Sequence, residues 1–339
     1  MSKASTFFKS TAILSTALLS LLGACAIDDP IDYTTDGYTA GPQGGGSGDG
    51  GNTGSSDDFV EWTRQLGTSD TDYASGIATD SSGNVYVTGY TRGALEGNNA
   101  GVDDLFVVKY DSAGDRKWTK QLGTSSYDIA EGIATDSSGN IYLTGFTHDI
   151  IDGSYSGSQD LFVVKYDSAG DWKWTRQVDD NIGADIIADS NGDIYVAGSV
   201  SYSLDGNVHY GSHDLILMKY DSDGNKLWTK QPDGSLSANG LTMDDNGNIY
   251  ITGSAHSEIC NGLPGHDEDY EACLDAFVVK YDSEGDWKWT QQIGTSTYDT
   301  GYGITTDSSG NVYLTGVTSG NLDGNTNAGE YDLFVMKLK

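Results

Sequence analysis

Two cysteines and two histidines, Cys260, Cys273, His256 and His266, fall in one polar segment, His256–Leu274, beside Glu258 and the run Asp267-Glu268-Asp269. Two chemistries suit that set. An even cysteine pair close in sequence forms a disulfide in an oxidising compartment. Here it closes a loop of about 14 residues and adds roughly 3 kcal/mol by restricting the unfolded chain. The rival is zinc, for which His256, Cys260, His266 and Cys273 are the right residue types, although their spacing matches no compact zinc motif. We read Cys260 and Cys273 as a disulfide. His256, Glu258, His266, Asp267, Glu268 and Asp269 are binding candidates, since the acidic run has the composition of either a cation site or a solvated loop tip.

A second element recurs as Glu96-Gly97-Asn98, Asp152-Gly153-Ser154, Asp205-Gly206-Asn207 and Asp323-Gly324-Asn325. Calcium takes oxygen ligands from such loops, yet Asp-Gly is equally a tight-turn dipeptide. No segment has the EF-hand spacing, so Asp152, Asp205 and Asp323 enter as binding candidates with calcium as the one ion they admit. No cofactor is required. No nucleophile elbow, zincin, P-loop or dinucleotide fingerprint occurs. The acids that do not recur, Glu131, Asp185 and Glu258, are the only candidates for paired-carboxylate chemistry on a glycoside. No catalytic residue is assigned.

The 339 residues carry 18 Lys+Arg against 50 Asp+Glu, a formal charge of −32. That surface repels phosphate backbones, which excludes nucleic acid as a partner class, and it repels anionic lipid headgroups too. Many of the aspartates stand in Asp-Ser-x-Gly segments, where a short side chain caps the backbone of a turn.

The amino-terminal residues have a different character. Lys3 and Lys9 precede an apolar run from Thr11 to Leu22, too short to cross a bilayer as a helix and suited to a signal peptide. The run ends in Leu22-Gly23-Ala24-Cys25, which resembles the lipobox of bacterial lipoproteins. The resemblance implies cleavage before Cys25 and diacylglycerol on its sulfur, so the membrane is a partner through the lipid. Ala26 then points to the outer membrane of a Gram-negative host. Residues 25–58, with Gly44-Gly45-Gly46-Ser47-Gly48-Asp49-Gly50-Gly51, have the composition of a flexible tether.

From residue 59 onward the chain repeats itself. Trp62, Trp118, Trp174, Trp228 and Trp289 recur at spacings of 56, 56, 54 and 61 residues. Each interval holds four short runs rich in Val, Ile, Tyr, Phe and Thr, separated by Asp, Ser and Gly, as antiparallel strands require. Innermost to outermost they are A, B, C and D, with A strands starting near Gly76, Gly132, Asp185, Gly240 and Gly303. Four strands per unit of this length predict a blade, and five units predict an all-β, five-bladed propeller. The last unit ends at its C strand, and Glu61-Trp62-Thr63-Arg64-Gln65-Leu66 has the pattern of a D strand. The expectation is that residues 61–66 close the fifth blade, leaving no open edge.

Segments such as Gly132-Ile133-Ala134-Thr135-Asp136-Ser137-Ser138-Gly139-Asn140-Ile141-Tyr142-Leu143-Thr144-Gly145 and Phe277-Val278-Val279-Lys280-Tyr281-Asp282-Ser283-Glu284-Gly285 resemble the bacterial SBBP-type β-propeller repeat, and their first half is similar to NHL repeats. The likeness spans Phe59 to Lys339 and implies a fold while saying little of activity. Units three and four lack the Gly-Thr-Ser-x-x-Asp segment before their A strands.

In such a blade the A–B and C–D turns share one end, and the B–C and D–A loops share the other. The turns are short and nearly identical; the loops vary. Variable loops on a regular scaffold are where binding resides. The expectation is a monomeric, non-catalytic envelope lipoprotein that binds a protein or glycan through the B–C and D–A loop face. The alternatives are a carbohydrate-active enzyme at the channel mouth and an outer-membrane assembly scaffold.

Overall fold

The computed structural model describes residues 60–151, 159–179, 181–204, 206, 214–232, 234–256 and 274–338. Cys25 and the tether therefore lie outside the described residues. Among the described residues five antiparallel sheets follow one another along the chain. The first is β1 (Asp72–Thr79), β2 (Val85–Thr91), β3 (Asp104–Tyr110) and β4 (Arg116–Leu122); the second is β5 (Asp128–Thr135), β6 (Ile141–Thr147), β7 (Asp160–Tyr166) and β8 (Trp172–Val178). The third is β9 (Asn181–Ala188), β10 (Ile194–Val200), β11 (Asp214–Tyr220) and β12 (Lys226–Lys230), and the fourth is β13 (Leu236–Met243), β14 (Ile249–His256), β15 (Leu274–Tyr281) and β16 (Trp287–Ile293). The fifth has three strands, β17 (Asp299–Thr306), β18 (Val312–Thr318) and β19 (Asp332–Leu338). Each sheet is one blade, and the inner strands β1, β5, β9, β13 and β17 are neighbours in that order.

The C strands read as unbroken apolar runs because a blade packs on both faces, where side chains of facing sheets interdigitate. All seven residues of β7 are buried. Between blades lie clusters such as Tyr86, Leu105, Val107, Ile133, Leu143 and Phe162, which join the first blade to the second.

Every inner strand begins four residues before the point expected from the sequence. The reason is a β-bulge. Pairing skips from Ala74 to Gly76, Ala130 to Gly132, Ala238 to Gly240 and Gly301 to Gly303. A bulge inserts one unpaired residue and breaks the period-2 alternation, so the half of the strand before it does not look like a strand. The bulged backbone leans on a glycine of the B strand: a Cβ on Gly145 would lie 2.0 Å from the Ile129 carbonyl oxygen.

The fifth blade differs from expectation. β19 hydrogen-bonds to β18 alone, and residues 61–66 form no strand. Among the described residues the sheets form no closed ring. Residues 62 and 64 are nonetheless anchored to the first blade: Trp62 Nε1 donates to the Ser112 carbonyl at 3.2 Å and Arg64 Nε to the Gly114 carbonyl at 2.7 Å. Leu333 and Val335 are 78% and 72% exposed, whereas Leu105 and Val107 in the same positions of β3 are fully buried against the second blade.

Candidate functional site

One end of every blade is fixed by turn chemistry. In the A–B turn of the second blade, Asp136 accepts the backbone N–H groups of Ser138 and Asn140 on one oxygen and the Asn140 amide and Tyr142 hydroxyl on the other. The same four bonds recur at Asp80, Asp244 and Asp307. The Asn311 amide and further donors hold Asp307 down to about 2. Glycines in the left-handed region, such as Gly139 at φ 77°, complete these turns. The tryptophans serve the same end. Trp118, Trp174 and Trp228 pack on Tyr86, Tyr142 and Tyr195 of their own blades, with ring centroids 6.0 to 6.1 Å apart. They also cover Gly170, Gly224 and Gly285 of the next blade's C–D turn.

The recurrent acids at the other end hold loops. Asp128 accepts the Thr124 N–H at 2.6 Å and its hydroxyl at 2.8 Å, and Asp72 and Asp299 cap their loops likewise. Gln121, Gln177, Gln231 and Gln292, in or just after the D strands, each donate to the aspartate at the start of the neighbouring C strand, at 2.6 to 2.8 Å. These groups are architecture.

Against that background one group of side chains repeats only in part. It lies at the loop end of the first two blades. Tyr73 stacks on Tyr90 with centroids 5.6 Å apart and planes at 22°. The Arg92 N–H donates to the Thr71 carbonyl, and Arg92 Nε donates to Asp103 at 2.8 Å. Asp103 is 2% exposed while Arg92 is half exposed. The ion pair raises the Arg92 pKa further. The Asp103 carbonyl accepts the Asp128 N–H, and the Tyr127 carbonyl accepts the His148 N–H. Tyr127 packs against His148 with centroids 5.4 Å apart and planes at 58°, and Phe146 flanks the imidazole at 5.7 Å. Burial lowers the His148 pKa, so the ring is neutral at pH 7. The result is a continuous strip: Tyr73, Tyr90, Arg92, Asp103, Tyr127, His148. Its counterparts in other blades are partly smaller: Ser199, Ser254 and Val317 stand where Tyr90 and Phe146 do, and Ser201, His256 and Ser319 where Arg92 and His148 do, while Tyr298 repeats Tyr127 in the fifth blade.

The bulge position of the inner strands is also variable: Ser75, Glu131, Ala184, Asn239 and Tyr302. Burial pushes Glu131 up to about 7. Asp185, next to the bulge in β9, is pushed up to about 6 by burial, against the opposing hydrogen bonds it accepts from Leu241 and Ile186 N–H. The Gly132 and Asp185 backbones touch, so the two acids stand on adjacent inner strands.

Of the residues singled out from the sequence, Glu258, Cys260, His266, Asp267, Glu268, Asp269 and Cys273 lie outside the described residues, as do Asp152 and Asp205. His256 closes β14, its backbone opposite Leu274. Asp323 is exposed in a short turn at φ 52°, followed by Gly324 at φ 78°, which is the turn geometry that its Asp-Gly dipeptide favours. Among the described residues no group of three or more His, Cys, Asp or Glu is placed to hold a metal. The sequence reading missed Tyr73, Tyr90, Arg92, Asp103 and Tyr127. The signal available was the failure of Tyr73, Tyr90, Arg92 and Asp103 to recur when the repeats are aligned, as Arg92 against Ser201, His256 and Ser319.

A family profile agrees with the repeat architecture. The family profile "Beta-propeller repeat" (SBBP) matches residues 61–95, 117–152, 230–259 and 288–323. An uncharacterized WD repeat-containing protein, L264 of Acanthamoeba polyphaga mimivirus, is 24% identical over 351 residues, covering 76% of this chain and 25% of that protein. The regulatory protein FlaEY of Caulobacter vibrioides is 26% identical over 148 residues, covering 41% of this chain and 16% of that protein. The chain thus spans a quarter or less of the curated relatives it matches. Among solved structures, a protein of unknown function from Bacteroides caccae aligns with TM-score 0.40 and 9% identity over 66% of this chain and 68% of that one. The β-propeller domain of the Trilobed protease from Pyrococcus furiosus, described as having an open velcro topology, aligns with TM-score 0.44 and 9% identity over 78% of this chain and 68% of that chain. Repeats, strand order and turn chemistry lead to one statement: the chain carries SBBP-type β-propeller repeats at four positions, within five successive antiparallel sheets.

Proposed function

We propose that this protein is a non-catalytic binding scaffold of the cell envelope, working through the B–C and D–A loop end of its blades. One observation carries the reading: Tyr73, Tyr90, Arg92 and Asp103, which have no like residue in blades three to five, gather with Tyr127 and His148 at that end of the first two blades, while the opposite end is fully occupied by repeated turns. Lipidation of Cys25 is part of the reading, supported by the residues before it, and places the scaffold at the outer membrane. The test is capture from envelope extracts by the full-length protein. Joint substitution of Tyr73, Arg92 and Tyr127 by Ala should abolish capture without lowering the melting temperature; capture that survives sinks the reading.

Ring closure by residues 61–66 belongs to the same reading. Gln65 matches Gln121 in the repeat and is exposed. In the first blade Gln121 binds Gly93, Leu95, Glu96 and Asp104. The matching Gly320, Leu322, Asp323 and Asp332 line a groove of about 460 Å³ beside β19. The complementarity of Gln65 to that groove supports residues 61–66 as the fourth strand of the fifth blade.

Carbohydrate hydrolysis is a second reading, favoured by Glu131 and Asp185 on adjacent inner strands with raised pKa values. Absence of turnover on a polysaccharide panel retires it.

A further inference from the structure

We propose that the strip formed by Tyr73, Tyr90, Arg92, Asp103, Tyr127 and His148 is a subsite for a neutral glycan. This rests on the reading of the loop end as a binding face and names its ligand class.

The strip is built rather than incidental. Tyr73 and Tyr127 are 43% and 40% exposed, so each offers part of its ring to a ligand while Tyr90 and His148 back the rest. A backed ring loses little freedom on binding, which removes a main cost of association. Arg92 is anchored through Nε by a carboxylate that is itself buried. That anchoring leaves the outer guanidinium nitrogens, two fixed forks of N–H donors, for a ligand. The hydrogen bonds that run from Thr71 through Arg92, Asp103 and Asp128, and from Tyr127 to His148, join the two tyrosine platforms across the first two blades. Tyr73, Tyr90, Arg92 and Asp103 have no like residue in blades three to five, so the fold does not demand them, whereas His256 holds the place of His148 and Tyr298 that of Tyr127.

Charge selects the ligand class. The net charge of −32 opposes a polyanion. An outward Arg92 between the tyrosines opposes a Lys- or Arg-rich peptide. The His148 imidazole adds no charge at neutral pH. What fits is an uncharged molecule with a flat C–H face to stack on tyrosine and hydroxyls to accept from Arg92. A pyranose ring has both, and two platforms suit an oligosaccharide rather than one sugar.

The full-length protein should be titrated calorimetrically with neutral hexasaccharides (gluco-, xylo-, manno- and chito-series), with oligogalacturonate and with deca-lysine. At least one neutral hexasaccharide should bind. Tyr73→Ala or Tyr127→Ala should weaken it about tenfold or more, Arg92→Gln about fivefold, and Tyr127→Phe less than about twofold. Unchanged melting temperatures exclude misfolding. The proposal is overturned if no neutral hexasaccharide binds, if binding is indifferent to both alanine variants, or if deca-lysine alone binds and is lost in Tyr127→Ala. Silent sugars together with envelope capture that still depends on Tyr73, Arg92 and Tyr127 overturn the glycan alone. Capture indifferent to those residues overturns the binding-face reading as well.

Discussion

Trp62 donates its indole N–H to the carbonyl of Ser112, fifty residues away, at 3.2 Å. Trp174 makes the same bond to Ser222 at 3.2 Å, and Arg64 and Arg176 both donate to the glycine carbonyl two residues further on. Residues 62–64 are therefore seated on the first blade as a D strand of a preceding blade is. What Trp62 lacks is the tyrosine of its own blade. It stacks at 6.3 Å on Tyr110 instead, where closure of the fifth blade would give it Tyr313.

The two tryptophans should differ in worth. Trp174 is 9% exposed within a two-blade cluster, so Trp174→Ala should cost about 3–5 kcal/mol. Trp62 is only partly buried, and Trp62→Ala should cost about 1–2 kcal/mol from lost packing and one hydrogen bond. Urea denaturation of both variants ranks them.

Closure has its own measurement. Gln121→Ala removes partners from Leu95, Glu96, Gly93 and Asp104 and should cost about 2–3 kcal/mol. If residues 61–66 complete the fifth blade in solution, Gln65→Ala should cost about as much. A loss within roughly 0.5 kcal/mol, as at an exposed site, leaves the ring open.

Glycine substitutions separate close approach from turn conformation. Gly145→Ala drives a Cβ to 2.0 Å from a backbone oxygen that cannot move without the bulge, and about 4 kcal/mol or failure to fold is expected. Gly97 has φ 70° with nothing within 4 Å, so Gly97→Ala should cost about 1–2 kcal/mol, the left-handed penalty alone. Thermal melting of the pair reads the difference.

The pH response follows from Glu131. Its folded pKa of about 7 stands above the model-compound value of 4.5, so the folded state keeps a proton that the unfolded state has released. That contribution to stability is complete below pH 4.5 and is lost as pH rises towards 7. Glu131→Gln should therefore stabilise the protein at pH 8, by at most about 3 kcal/mol, and leave it nearly unchanged at pH 4. Paired urea titrations at the two pH values check this; a variant gain that is larger at pH 4 contradicts it.

Much of this could be read in one dimension. The recurrence of Trp-Thr-x-Gln, Asp-x-x-Gly and Tyr-x-x-Gly fixes strand count, order and turn positions, because each motif completes its bonds within one blade or with the next. Asp136 needs only Ser138, Asn140 and Tyr142, all within six residues. The bulges escaped notice because they are defined by a partner strand: nothing at Ser75 or Glu131 marks an unpaired residue until Gly89 and Gly145 are opposite.

The candidate site was less legible for the same reason. Tyr73, Arg92, Asp103, Tyr127 and His148 are scattered over two repeats and become neighbours only when a B–C loop bonds to the following D–A loop. The sequence by itself determined the repeat, the antiparallel blade and the acidic surface, since local hydrogen bonding and a period-2 pattern suffice for these. Tertiary structure decided which side chains face one another across blades, which carboxyls are desolvated enough to hold a proton near neutrality, and whether β19 meets a fourth strand. Burial and inter-blade contact are properties of the packed array, and no single repeat encodes them.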